Sequence, residues 1–157
     1  MRCLHVALAV LAAPFLPLVL FSASAGPPNF SGAWQLNAAK SQAVEGQAIA
    51  LTIQDSSGKI NFTRVVRDKD GKEETSQFAC QTGGNQCDFD ESGRKAKVSL
   101  WYDGPSLQIL KTDGPKEDAV TQWSLKLSPD GNTLTIELDH IDPTDKKQTM
   151  VFDKKPS

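Results

Sequence analysis

The stretch TQWSLKLSPDGNTLTIELD, Thr121 to Asp139, decides the reading of the fold. Thr121, Trp123, Leu125 and Leu127 alternate with Gln122, Ser124 and Lys126. After the Asp130-Gly131 pair, Leu134, Ile136 and Leu138 alternate with Thr133, Thr135, Glu137 and Asp139. A period of two places successive side chains on opposite faces of an extended strand, so each half has one face to bury and one to wet. Asp-Gly readily supplies the positive φ angles of a tight turn. The stretch therefore reads as a β-hairpin.

The same grammar continues toward the N-terminus. Ile49, Leu51 and Ile53 alternate with Ala50, Thr52 and Gln54, and Ala96, Val98, Leu100 and Tyr102 with Lys97, Ser99 and Trp101. Glycine turns punctuate the chain at Ser57-Gly58, Asp70-Gly71, Gly83-Gly84, Ser92-Gly93, Asp103-Gly104 and Asp113-Gly114. Apolar stripes at helical spacing are absent from this region, and only Ala38 to Gln47 has room for a helical turn or an irregular crossing. Nine or ten one-sided strands joined by short turns must bury their apolar faces together. The expectation is an all-β fold, an antiparallel up-and-down meander closing into a barrel of about 8–10 strands, which also removes exposed edges. A two-sheet sandwich is the alternative; it is disfavoured because Greek-key connections need long crossovers.

Residues 1–25 carry a different pattern. Arg2 gives a positive start, Leu4 to Phe21 is almost wholly apolar, and Ala23-Ser24-Ala25 forms a small-x-small cleavage site. This is the grammar of a secretory signal peptide. Pro14 and Pro17 interrupt the apolar run, and no basic stop-transfer cluster follows, which argues against a retained membrane anchor. The expected product is one domain, residues 26–157, in the periplasm or secreted, with no membrane span after cleavage. Loss of Arg2 leaves 16 basic and 19 acidic side chains, a net charge of −3, with both signs interspersed. No basic stripe suited to nucleic acid is present.

Cys80 and Cys87 are the cysteines that follow the leader. In an exported chain such a pair reads as a disulfide, here across a hairpin around residues 81–86. A redox or metal role is the alternative, although redox pairs usually stand as C-x-x-C and metal sites need further ligands.

The opening of the proposed domain is Asn29-Phe30-Ser31-Gly32-Ala33-Trp34-Gln35-Leu36-Asn37. Gly32-x-Trp34 entering the first strand resembles the opening motif of lipocalins. The wider stretch from Phe30 to Ser41 resembles small exported bacterial lipocalin-like proteins, mostly uncharacterised. The resemblance implies a barrel in which Gly32 admits a close turn and Trp34 closes one end. It departs from the family late in the chain. Val151-Phe152-Asp153-Lys154-Lys155 offers Lys154 where an arginine usually faces the tryptophan, and no C-terminal helix is evident. The fold carries over and a specific ligand does not.

Candidate chemistry is sparse. His140 is the histidine of the proposed domain, lies at a strand end in the inward phase, and has no Gly-x-Ser-x-Gly elbow to serve. Asp88-Phe89-Asp90-Glu91-Ser92-Gly93 matches the first half of a calcium loop but has Ser99 where a bidentate glutamate belongs, so it reads as a solvated acidic turn. Arg64 falls in phase with Ile60, Phe62 and Val66 and would place a guanidinium in the barrel, where burial demands a partner. A ligand carboxylate, as in fatty-acid-binding barrels, or an ion pair with Glu73 or Glu74 would each serve. Sequons at Asn29 and Asn61 matter only in a eukaryotic secretory pathway.

Three functions follow. The first is a non-enzymatic binding module holding a small apolar ligand, lined by Phe62, Arg64, Leu100, Tyr102, Trp123 and Leu125. The second is an envelope or extracellular interaction protein with a packed barrel, for which outward-facing Trp101 marks a contact patch. An enzyme is third, because no acid, base and nucleophile converge. No cofactor or metal is called for.

Overall fold

In the computed structural model the described residues are 26–42, 46–113, 119–142 and 146–156. The leader segment and Gly114 of one expected turn lie outside them. Ten strands follow one another: β1 (Gly32–Leu36), β2 (Ala48–Ser56), β3 (Lys59–Arg67), β4 (Glu73–Gln81), β5 (Gly83–Glu91), β6 (Arg94–Asp103), β7 (Ser106–Asp113), β8 (Ala119–Leu127), β9 (Thr133–Asp142) and β10 (Lys146–Lys154). Each pairs antiparallel with its sequence neighbours, and β1 pairs with both β2 and β10, so the meander closes into a barrel. Closure leaves no sheet edge and disposes of the sandwich alternative. The segment after β1 forms a single 3-10 turn, Ala38–Lys40, capped by the Asn37 side chain.

The period-two pattern sets which face is which. Inward positions form one continuous core that includes Trp34, Leu51, Ile53, Phe62, Phe89, Val98, Leu100, Leu125, Leu134 and Phe152. Outward positions are mainly Lys, Thr, Gln, Asp, Glu and Ser. A barrel embedded in lipid needs the reverse, an outward apolar band about 25 Å tall. Among the described residues no helix is long and apolar enough to cross a membrane.

One end of the barrel is plugged. Phe30, fully buried, enters ahead of β1, and its carbonyl accepts from the Trp34 indole N–H at 3.3 Å. Asp55 fastens the plug: its carboxylate accepts from the Phe30 N–H at 3.2 Å and from the Tyr102 hydroxyl at 3.0 Å. Lys154 Nζ lies 5.3 Å from the centre of the buried Trp34 ring. Gly32 has a φ of +154°, a conformation that L side chains rarely adopt, which favours glycine there, and a Cβ would also stand 3.0 Å from Lys154 Cε.

Cys80 and Cys87 form a disulfide, with Cα atoms 5.6 Å apart. The β4–β5 ladder runs from Ser76↔Glu91 to Phe78↔Phe89 and stops there. Continuing that register would bring Cys80 opposite Cys87, so the covalent bond takes over where the backbone pairing ends. Only Thr82 lies between the two strands along the chain, but past Phe78 and Phe89 each pairs with its other neighbour, Ala79–Gln81 with β3 and Gly83 onward with β6 across a register shift.

Candidate functional site

The mouth, at the end opposite the plug, holds a cluster of charged side chains, Arg64, Glu91, Lys111 and Asp113. Arg64 keeps the inward phase of β3. Its register partner is Ser76, whose own partner on β5 is Glu91. Glu91 holds two cations from opposite sides of the lumen: Arg64 Nη2 at 3.4 Å from Oε1, and Lys111 Nζ at 2.8 Å from Oε2. Asp113 adds a second contact to Lys111 at 2.9 Å. The sequence suggested Glu73 or Glu74 for Arg64. The structure pairs Glu73 with Arg67 and Glu74 with Lys72 on the outer rim. Burial holds the Arg64 guanidinium below its usual pKa, with the charges of Glu91 and then Glu74 opposing that shift.

Beneath these ions lies a ring of four aromatic side chains. Phe62 stacks on Phe78 at 5.0 Å, Phe78 meets Phe89 edge-on at 5.6 Å, Phe89 meets Trp123 at 6.1 Å, and Trp123 returns to Phe62 at 5.9 Å. Arg64 lies over Trp123 at 5.9 Å and Lys111 over Phe89 at 5.5 Å. Each cation faces the negative side of a π system while Glu91 bridges the two and Asp113 supplies a second negative charge beside Lys111. The aromatic ring thus has an ionic roof.

Of the residues expected to line a ligand site, Phe62, Arg64 and Trp123 do come together, joined by Leu51, Ile136, Leu138, Met150 and Phe152. The cavity they enclose is about 10 Å³. That is about the space of one water molecule and far below the roughly 300–1,000 Å³ of ligand pockets. Leu100 and Leu125 are packed without exposure in the core. Tyr102 sits at the plugged end, where burial and then Asp55 push its hydroxyl pKa up. His140 is half-buried with Nδ1 3.3 Å from Thr121 Oγ1. In the former calcium-loop candidate, Asp88 and Asp90 lie on β5 and pair with Lys97 and Lys95.

The space lies outside. Across the outer faces of β6 to β10 runs a groove of about 780 Å³. Its floor is β7, whose outward side chains Ser106 and Gln108 are only 8% and 6% exposed. Consecutive registers align one row across all five strands, Trp101–Gln108–Ser124–Glu137–Thr149. Gln108 donates to Ser124 Oγ at 3.1 Å and accepts from Gln122 Nε2 at 3.1 Å. Of the groove's three acids, two are paired with lysines, Glu137 with Lys126 at 3.0 Å and Asp139 with Lys147 at 3.3 Å; the third is Asp103 at the end of β6. Alternation in the sequence marked these positions as outward but gave no sign of a depression, which depends on the curvature of the sheet. Trp101 was the visible signal.

Comparison of the chain with protein-family models and with curated proteins finds no match, so the reading of both sites rests on their geometry.

Proposed function

We propose that this chain is an exported, non-enzymatic, lipocalin-like barrel that works as a binding or interaction protein through its outer groove. The observation that carries the proposal is the distribution of space: about 10 Å³ among the interior candidates against about 780 Å³ on the outer face of β6–β10. Capping of the plugged end by Trp34 and Lys154 supports the lipocalin-like part of the reading. Export is supported by the leader's composition and is consistent with the Cys80–Cys87 bond.

A second reading, a carboxylate ligand held by Arg64, is favoured by one observation. Arg64 Nε is buried beside the small cavity with no hydrogen-bond partner among the described residues. One titration separates the two. A long-chain fatty acid, a retinoid and haem are added to the protein while tryptophan fluorescence is followed. The groove reading expects no saturable response from the interior. Saturable binding that disappears in Arg64→Ala and persists in Trp101→Ala would overturn it in favour of the second reading.

A further inference from the structure

The chemistry of the groove narrows what it can hold. Its floor consists of amides and hydroxyls. Gln108, Gln122 and Ser124 spend part of their hydrogen-bonding capacity on one another, and each amide offers two donors and two acceptor lone pairs. That mutual bonding fixes their orientation: nearly buried Gln108 holds Gln122 and Ser124, which stay half-exposed along the groove. Trp101 stands at one edge, half-buried, and its register partner on β5 is Gly83, which has no side chain to set directly against the indole. The groove's two lysines, Lys126 and Lys147, are each paired with a carboxylate, Glu137 and Asp139, and Asp103 adds a further acid, so among the described residues no uncompensated cationic cluster lines the groove to draw phosphate or sulfate. An apolar ligand would leave the floor's polar groups unpaired, at a cost of about 1–3 kcal/mol for each one desolvated.

A ligand suited to this lining has many neutral hydroxyls, each able to donate and accept, and an apolar face to lie on an indole. We infer that the groove binds a neutral glycan, with Trp101 as the stacking platform and Gln122 and Ser124, held in place by Gln108, reading hydroxyls. The row crosses five strands spaced about 4.8 Å apart, giving a track of roughly 19 Å that accommodates several consecutive sugar rings. This inference rests on the outer groove being the binding surface.

The test uses the exported chain with three neutral tetrasaccharides: β-1,4-linked glucose, α-1,4-linked glucose and β-1,4-linked N-acetylglucosamine. Calorimetry and tryptophan fluorescence are read together. At least one should bind saturably. Trp101→Ala and Gln122→Leu should each weaken that binding at least tenfold in a chain that stays folded at the assay temperature by circular dichroism, while Trp123→Phe should leave it intact. Failure of all three sugars to bind, or binding indifferent to Trp101→Ala, overturns the inference. A photo-crosslinker at position 122 in the exporting cell separates the two levels. Capture of a polypeptide there, with no sugar bound, removes the glycan and leaves the groove as the binding surface. No adduct and no sugar binding removes both.

Discussion

Glu91 holds the ionic roof together, and its removal should destabilise the barrel far more than loss of a surface salt bridge. The side chains of Lys111, Glu91 and Arg64 are 10%, 13% and 21% exposed, so water screens them poorly. Removing one partner of a buried ion pair typically costs about 3–5 kcal/mol, because it strands an uncompensated charge. Glu91→Ala strands Arg64, but Asp113 still accompanies Lys111 at 2.9 Å, which places the estimate at the low end, about 3 kcal/mol. For a domain of this size that corresponds to a fall in Tm of roughly 10 °C. Urea and thermal denaturation of Glu91→Ala against the parent measure it. Arg94 also reaches Glu91, at 3.5 Å, but its side chain is 81% exposed. Arg94→Ala is therefore the control and should cost less than about 1 kcal/mol. The triple replacement Arg64→Met, Glu91→Leu, Lys111→Met removes the three buried charges together, leaves Asp113 with a side chain 34% exposed to water, and should fall within about 1 kcal/mol of the parent or above it. If Glu91→Ala costs no more than Arg94→Ala, the roof is effectively solvated and the argument fails.

The disulfide and the plugged end give two more tests. Replacing Cys80 and Cys87 together by serine opens a ring of eight residues and should cost about 2.5 kcal/mol by loop entropy, with the β circular-dichroism signal retained; a loss near zero would show that β4 and β5 hold their register without the bond. Tyr102 is the one tyrosine of the chain, so tyrosinate absorbance reports it alone. Its folded-state pKa is raised above the ordinary value of about 10, so the stability it contributes is complete below that pH and is lost as the pH climbs further. Tyrosinate should therefore form together with unfolding, and Tyr102→Phe should flatten the alkaline loss of stability. Ordinary titration near pH 10 in a still-folded chain would contradict the contact with Asp55.

Alternation and turn chemistry are local properties, so the sequence alone determined the strands, their inward faces and the meander. Arg64 in phase with Phe62 and Val66 already implied a guanidinium in the lumen, and Gly32-x-Trp34 implied a closed end. The partner of Arg64 was not legible. Glu73 and Glu74 are nearer in sequence, but the β3–β4–β5 registers carry the inward row from Arg64 through Ser76 to Glu91. Whether the lumen is hollow was equally hidden. The same Phe, Leu and Trp residues serve a ligand cavity or a filled core, and only the sum of their volumes inside a closed ten-stranded wall chooses the filled one. The groove likewise belongs to tertiary structure. Outward polarity follows from a period of two, but a concavity over β7 arises from the way five strands curve past one another, a relation that no single strand encodes.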